Sequence, residues 1–245
     1  AQLRASSKAL EGMLGLPSYV GAVASAALVL LYSHAGGLRA SIWTDAVQSF
    51  VMMFAMSALV LYALGDVGGL TGLGRGLEAI DPELVAFVST DAGLGFALWA
   101  LGWIGGGLGA IGQPTLIVRT MALAPDASLP RAGLVYFAFF IPFYALTILL
   151  GLAARVLLPG LGDPEFAMPT LATALLPEVL VGVLLAGVFA ATMSTADSQV
   201  LACSAAFTED LLPAARRGIA ANKRATLGVT LAALLLSLGS VSSVF

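Results

Sequence analysis

Charge-free stretches alternate with short polar or Gly/Pro-rich connections along the whole of this chain. Residues 12–38, 46–65, 92–118, 132–154, 179–196 and 225–245 carry no Asp, Glu, Lys or Arg, and the fifth stretch continues, speckled with polar residues, to Thr208. A helix needs about 20 apolar residues to cross about 30 Å of hydrocarbon. Each stretch therefore predicts a membrane-spanning helix, and a partial helix over residues 1–11 precedes them, which makes about seven. The connections fall at 15–17, 35–44, 66–91, 119–131, 157–178 and 212–224.

Composition agrees with this pattern. Hydrophobic residues make up 59% of the chain and charged residues 10%, against about 25% charged in a soluble domain. The chain reads as an all-α polytopic membrane protein of the cell (inner) membrane. A net charge of −3 says little; the placement of the charges says more. Alternate connections hold Arg39, then Arg119 and Arg131, then Arg216, Arg217, Lys223 and Arg224, while the others are rich in Asp and Glu. Loops rich in Lys and Arg stay cytoplasmic, so residues 46–65 run outward and the helix from Val179 runs inward. Arg4 and Lys8 fall on the outer side, against the pattern. One cysteine, Cys203, excludes a disulfide framework and a Cys-based metal site; it reads as a small buried apolar residue. One histidine, His34, excludes a multi-His centre. Without an initiating Met or a basic leader at residue 1, and with an apolar run still open at Phe245, both ends read as cut.

Three features carry chemistry. The first is Met193-Ser194-Thr195-Ala196-Asp197-Ser198, inside an apolar span. An ionisable residue at membrane depth marks an ion or substrate path. Ser194, Thr195 and Ser198 share a helix face with Asp197 beside them, and hydroxyl, carbonyl and carboxylate oxygens suit a hard cation. The plainer reading is that the hydroxyls bond carbonyls one turn back and pack helices. The second is Trp43-Thr44-Asp45 with Gln48 one turn on, where Asp45 could simply cap a helix. The third is the run from Trp103 to Pro114, whose Gly105-Gly106-Gly107, Gly109 and Gly112 predict either a broken helix lining a cavity or tight small-residue packing.

Together these residues resemble the sodium:solute symporter family, and within it the sodium/proline symporters most. The resemblance covers almost the whole chain. It rests on Gly36-Gly37 before Trp43-Thr44-Asp45-Ala46-Val47-Gln48, on Gly112-Gln113-Pro114 before Arg119, and on Met193-Ser194-Thr195 with Cys203-Ser204 and Thr208-Glu209-Asp210-Leu211. It implies a partial inverted-repeat (LeuT-like) transporter fold, two five-helix repeats of opposite topology around a midplane site. Residues 1–245 would be a single transmembrane domain fragment holding core helices 3 to 9. The second half of the first repeat would cover about 1–66 and most of the second about 91–245.

The resemblance also implies site residues. The Ala191 carbonyl with the Ser194 and Thr195 hydroxyls would form part of the principal sodium site. Asp45 with Ser194, Asp197 and Ser198 would form a second ion or coupling site. Asp197 stands where other members carry a hydroxyl, and two close carboxylates repel unless a cation bridges them or one holds a proton. Gly106, Ala110 and Pro114 would face the solute, where proline-transporting members present a Trp, a Tyr and a Pro. Losing two aromatics enlarges the pocket. The expected function is sodium-coupled import of a small organic solute, amino-acid-like or related. Na+ would be the coupling ion, with no organic cofactor, and the partners would be the solute and the lipid bilayer.

Two other classes are testable against the sequence. An intramembrane aspartyl protease would use two aspartates, but its Gly-x-Gly-Asp is absent and Leu64-Gly65-Asp66 is the nearest match. A symporter-like sensor module of a signalling protein keeps the fold without transport. The chain has no phosphate-binding loop, nucleophile elbow or basic nucleic-acid face, so neither an enzyme nor a nucleic-acid partner is expected.

Overall fold

The computed structural model describes residues 2–86, 93–121, 123, 128–213 and 218–239; the side chains of 32, 34–38, 40, 93, 94, 110 and 111 lie outside the description. Every regular element among the described residues is helical. In chain order these are α1 (Gln2–Leu14), α2 (Ser18–Val67), α3 (Gly69–Ile80), α4 (Gly93–Ile111), α5 (Pro114–Met121), α6 (Leu129–Leu157), α7 (Ala167–Leu175), α8 (Glu178–Ala206) and α9 (Ile219–Gly239). One π turn, Phe207–Leu211, prolongs α8.

Ser41–Val67, Leu129–Leu157, Glu178–Leu211 and Ile219–Gly239 are long and apolar enough to cross a bilayer, and α4 with α5 makes a bent apolar pair, a broken span or a re-entrant loop. Large apolar side chains such as Phe50, Leu61, Leu134, Ile148, Val179 and Leu235 lie on the outside. Monomeric proteins in water do not expose apolar surface on that scale; lipid accepts it. The chain is an all-α, multi-pass integral membrane protein.

The described chain divides into two compact units, Ala1–Tyr62 with Gly160–Phe245, and Ala63–Pro159. In the second unit α3 packs along α6. Helix α6 starts at Ser128, whose hydroxyl accepts from the Arg131 N–H at 3.3 Å. It continues past Pro142 without a break, as spanning helices tolerate. In the first unit α8 is the hub, packed by α1, α7 and α9. Val29 of α2 joins it through Met193, Ala196 and Val200. Ser6 of α1 donates to Thr192 of α8 at 2.8 Å, a polar rivet between buried residues.

Three expectations change. The connection over 35–44 is helical, so α2 is one helix of 50 residues. Glycine pairs without proline leave its hydrogen-bond ladder intact. Its two halves are nevertheless not collinear. Ser33 bonds Asp197, and Met52 and Ala55 lie against Gly187. Ser33 and Ala55 are about 33 Å apart along an ideal helix, but Asp197 and Gly187 are only about 15 Å apart along α8. Helix α2 must therefore turn between them, and the predicted pair of helices survives as two inclined halves. Next, the connections 66–91 and 157–178 contain helices α3 and α7. Each also carries an Asp-Pro-Glu start of a 3₁₀ turn, with Asp81 and Asp163 accepting from the N–H of Glu83 and Glu165 at 2.9 Å.

Finally, Lys8, the cation that ran against the charge pattern, is paired. It binds Asp163 at 3.0 Å and also Glu165. An exposed ion pair adds about 0–1 kcal/mol, so its main effect is to neutralise Lys8 where it sits.

The approach at Gly187 gives a packing prediction. A Cβ there would lie 2.9 Å from the Ala55 Cβ, whereas at Gly182 nothing lies within 4 Å. Gly187→Leu should destabilise the detergent-solubilised full-length protein by about 1–3 kcal/mol through overpacking. Gly182→Leu should leave its thermal midpoint within error of wild type. Equal midpoints for the two variants would contradict the α2–α8 contact.

Candidate functional site: an oxygen-lined face of helix α8

Helix α8 passes Val188 to Thr208 with six hydroxyls, and each donates to a carbonyl three or four residues back. Two of them converge. The Ala191 carbonyl accepts from Ser194 Oγ at 3.0 Å and from Thr195 Oγ1 at 3.1 Å. The three oxygens expected in the principal sodium site are thus gathered on one helical turn. This is the back-bonded geometry of the plainer reading, and it does not disqualify the oxygens as ligands. A hydroxyl that has donated its proton to a carbonyl still presents its lone pairs. Ser194 and Thr195 are half-buried, so those lone pairs are reachable. Neutral oxygens of this kind suit a hard monovalent cation.

Asp197 behaves differently. It is 0% exposed. Its Oδ1 accepts a short hydrogen bond from Ser33 Oγ of α2, and its Oδ2 is buried without a partner among the described residues. A buried acceptor left unpaired is costly, more so when charged. A cation or a proton would satisfy Oδ2, so the residues present fit the coupling ion that the sequence implies.

Helical geometry relates these groups to Asp45. Gly187, Ala191, Ser194 and Ser198 repeat every three or four residues along α8, which puts them on one face. Gly187 meets Met52 and Ala55 of α2. On α2, Asp45, Gln48, Met52 and Ala55 share the facing stripe by the same spacing. The contacts Ser33–Asp197 and Ala55–Gly187 run in opposite directions along the two helices. Were the two axes to run parallel from there, ten residues back from Ala55 and ten forward from Gly187, about 15 Å on each helix, would bring Asp45 level with Asp197. Gln48 would then be level with Ser194. The Asp45 Oδ1 and Gln48 Oε1 atoms are buried. Asp45 lies well inside α2, not at an end, so the capping reading of Asp45 is overturned. Ser198 donates to the Ser194 carbonyl at 2.8 Å. Asp45 thus shares a helical stripe with Met52 and Ala55, and Ser194 and Ser198 share one with Gly187, where the two helices meet.

The solute positions belong to the other unit. Helix α4 ends at Ile111 and α5 begins with Pro114 at its first position, the two axes bent by 47°. Proline suits that position because the missing N–H would be unpaired anyway. The Gln113 carbonyl accepts from the Leu116 and Ile117 N–H groups at 3.0 and 3.2 Å. Around Gly102, Gly105, Gly106, Gly107 and Gly109, a Cβ would meet nothing within 4 Å. The helix is thus broken at 112–113, as one of the two sequence alternatives expects. Gly106 and Pro114 are exposed, and the side chain of Ala110 lies outside the described residues.

Sequence reading missed Ser33 altogether. A lone serine in an apolar run gives no signal, and its role appears only when α2 meets α8. Gln48 was noticed without a role; the stripe it shares with Met52 and Ala55 supplies one. Cys203 corrects an expectation, being exposed rather than buried. It lines a cavity of about 460 Å³ with Arg4, Val29, Gln199, Val229 and Thr230.

Oxygen ligands on a spanning helix in one unit, and a broken apolar helix in the other, are features of membrane proteins that bind small ions and solutes at depth. Comparison with known proteins narrows the class. The model of the sodium:solute symporter family matches residues 1–244. Relatives include a sodium/pantothenate symporter of Haemophilus influenzae, 32% identical over 91% of this chain and 46% of its own. A sodium/proline symporter of Escherichia coli is 32% identical over 89% of this chain and 44% of its own. An osmoregulated proline transporter of Bacillus subtilis is 30% identical over 96% and 49%. The chain belongs to the sodium:solute symporter family. It spans about half the length of the curated relatives it matches.

The seam register is open to a cross-linking test. In a full-length protein freed of other cysteines, Gln48→Cys with Ser194→Cys should cross-link through a short bifunctional maleimide. Ala46→Cys with Ser194→Cys should not, because Ala46 lies on the opposite side of α2. Equal yields for both pairs would contradict the register.

Proposed function

We propose that the protein is a sodium-coupled symporter importing a small organic solute bulkier than proline. The observation that carries the ion half is the convergence of Ser194 and Thr195 hydroxyls on the Ala191 carbonyl, beside a buried carboxylate with an open oxygen. Family membership and relatives described as sodium symporters support the same reading.

For the solute, the support is the absence of aromatic side chains at Gly106 and Ala110. Flat stacking surface is lost there and room is gained. The relatives include pantothenate as well as proline symporters, and pantothenate is the bulkier of the two.

In this mechanism α8 offers Ala191, Ser194 and Thr195 to sodium arriving from outside, with Asp45, Asp197 and Ser198 forming the coupled second site. Binding there stabilises the solute-competent state, in which Gly106, Ala110 and Pro114 face the solute. A ligand can bias a conformational equilibrium only by binding one state better than the other, and the coupling is reciprocal between ion and solute. Rocking of one helix bundle on the other then opens both sites inward.

The test is uptake of a labelled-solute panel, pantothenate and proline included, into vesicles carrying the full-length protein, with and without an inward sodium gradient. Accumulation should require sodium, and proline should be a poor substrate. Saturable proline uptake in the micromolar range would contradict the pocket argument. Accumulation of nothing under any gradient would favour the sensor alternative. Ser194→Ala with Thr195→Ala should raise the sodium concentration for half-maximal uptake at least tenfold, about 1.4 kcal/mol. Unchanged sodium dependence would remove these residues from the ion site.

A further inference from the structure

Asp197 is the only described carboxylate that is fully buried, and it is held from the first half of α2, a segment to which the sequence assigned no part in ion binding. Ser33 stands in the first half of α2, itself 6% exposed. Its hydroxyl has one proton, and it gives that proton to Asp197 Oδ1. The surroundings fix both partners. Val29, one turn before Ser33, packs on Met193, Ala196 and Val200, which surround Asp197 on α8. With Oδ1 engaged and the backbone on both sides packed, the carboxylate has little freedom to rotate. Oδ2 remains buried and without a partner among the described residues. Ser194 and Ser198, three residues before and one after, have given their protons to α8 carbonyls and offer lone pairs rather than donors.

A buried carboxylate oxygen without a donor is unfavourable with no cation nearby and becomes favourable when one binds. Hydroxyl and carboxylate oxygens favour a hard ion over a soft one.

We propose that Ser33 is a positioning residue of the second cation site, holding the Asp197 carboxylate so that its Oδ2 serves a monovalent alkali cation. The inference rests on the sodium-coupled reading and extends the site from α8 and the second half of α2 to the first half. Without the Ser33 hydroxyl, Oδ1 would lose its donor and the carboxylate its fixed rotamer. Cation binding would then have to order the group as well as ligate through it.

The test uses the purified full-length protein in detergent, with its thermal midpoint titrated by sodium chloride against choline chloride at equal ionic strength. A ligand that binds only the folded state raises the midpoint by mass action, so no solute needs to be known. Ser33→Ala should move the sodium concentration for half-maximal stabilisation up about tenfold, and Ser33→Thr, which keeps the hydroxyl, should stay within about threefold of wild type. Ser25→Ala is the control. Ser25 is a second buried serine of α2, 1% exposed, with no partner for its hydroxyl, and its removal should leave the sodium titration unchanged. If Ser33→Ala does not fold, Ser33→Cys, of similar size and a weak donor, carries the test with a shift in the same direction. A wild-type sodium titration in Ser33→Ala or Ser33→Cys, or an equal shift in Ser25→Ala, overturns this inference alone. A wild-type protein that sodium stabilises no more than choline overturns the sodium reading and this inference with it.

Discussion

Everything in the first unit follows from how α8 carries polar groups through an apolar layer. A polar atom in hydrocarbon has no water to bond, so each must find its partner inside the protein. Six hydroxyls solve the problem locally, by donating to carbonyls one turn back. Asp197 cannot, because a carboxylate only accepts and the helix has already used its N–H groups. It reaches across to Ser33 on α2, and one of its oxygens remains without a donor. That single unmet requirement separates α8 from an ordinary packed helix and supplies a reason for an ion to bind there.

The same helix is also the structural hub. Ser6 of α1 rivets it through Thr192, Val29 of α2 packs on one side, and Ala55 of α2 presses against Gly187 on another. The two halves of α2 thus grip two faces of α8, and Asp197 lies near the border between them. An ion ligated there would bear on the angle between the halves of α2 as well as on α8. This gives a local binding event a route to a larger rearrangement, which coupled transport requires.

Much of this was legible in the chain. Charge-free runs located the spans because hydrocarbon thickness sets a length that residues 46–65 and 132–154 meet. The broken helix was legible because Gly112-Gln113-Pro114 ends one helix and starts another. The hydroxyl-rich face of α8 was legible because helical spacing alone puts Ser194 and Ser198 together. What was hidden depends on tertiary contact. Nothing in the local sequence around Ser33 points 164 positions ahead to Asp197. The helical continuity of α2 through 35–44 was hidden because glycine pairs signal a break but do not enforce one. Lys8 was misjudged because a lone basic residue was weighed without Asp163 and Glu165, its partners across the fold.

The central claim is that sodium binds in the seam between α8 and the second half of α2. Hydrogen exchange of the full-length protein in lipid, in sodium chloride and in choline chloride at equal ionic strength, tests it most directly. Exchange reports local opening segment by segment. The account predicts that sodium slows exchange in peptides covering residues 191–198 and 45–48 and leaves α3 and α6 unchanged. Identical exchange of those peptides in the two salts, or protection confined to other helices, would contradict it.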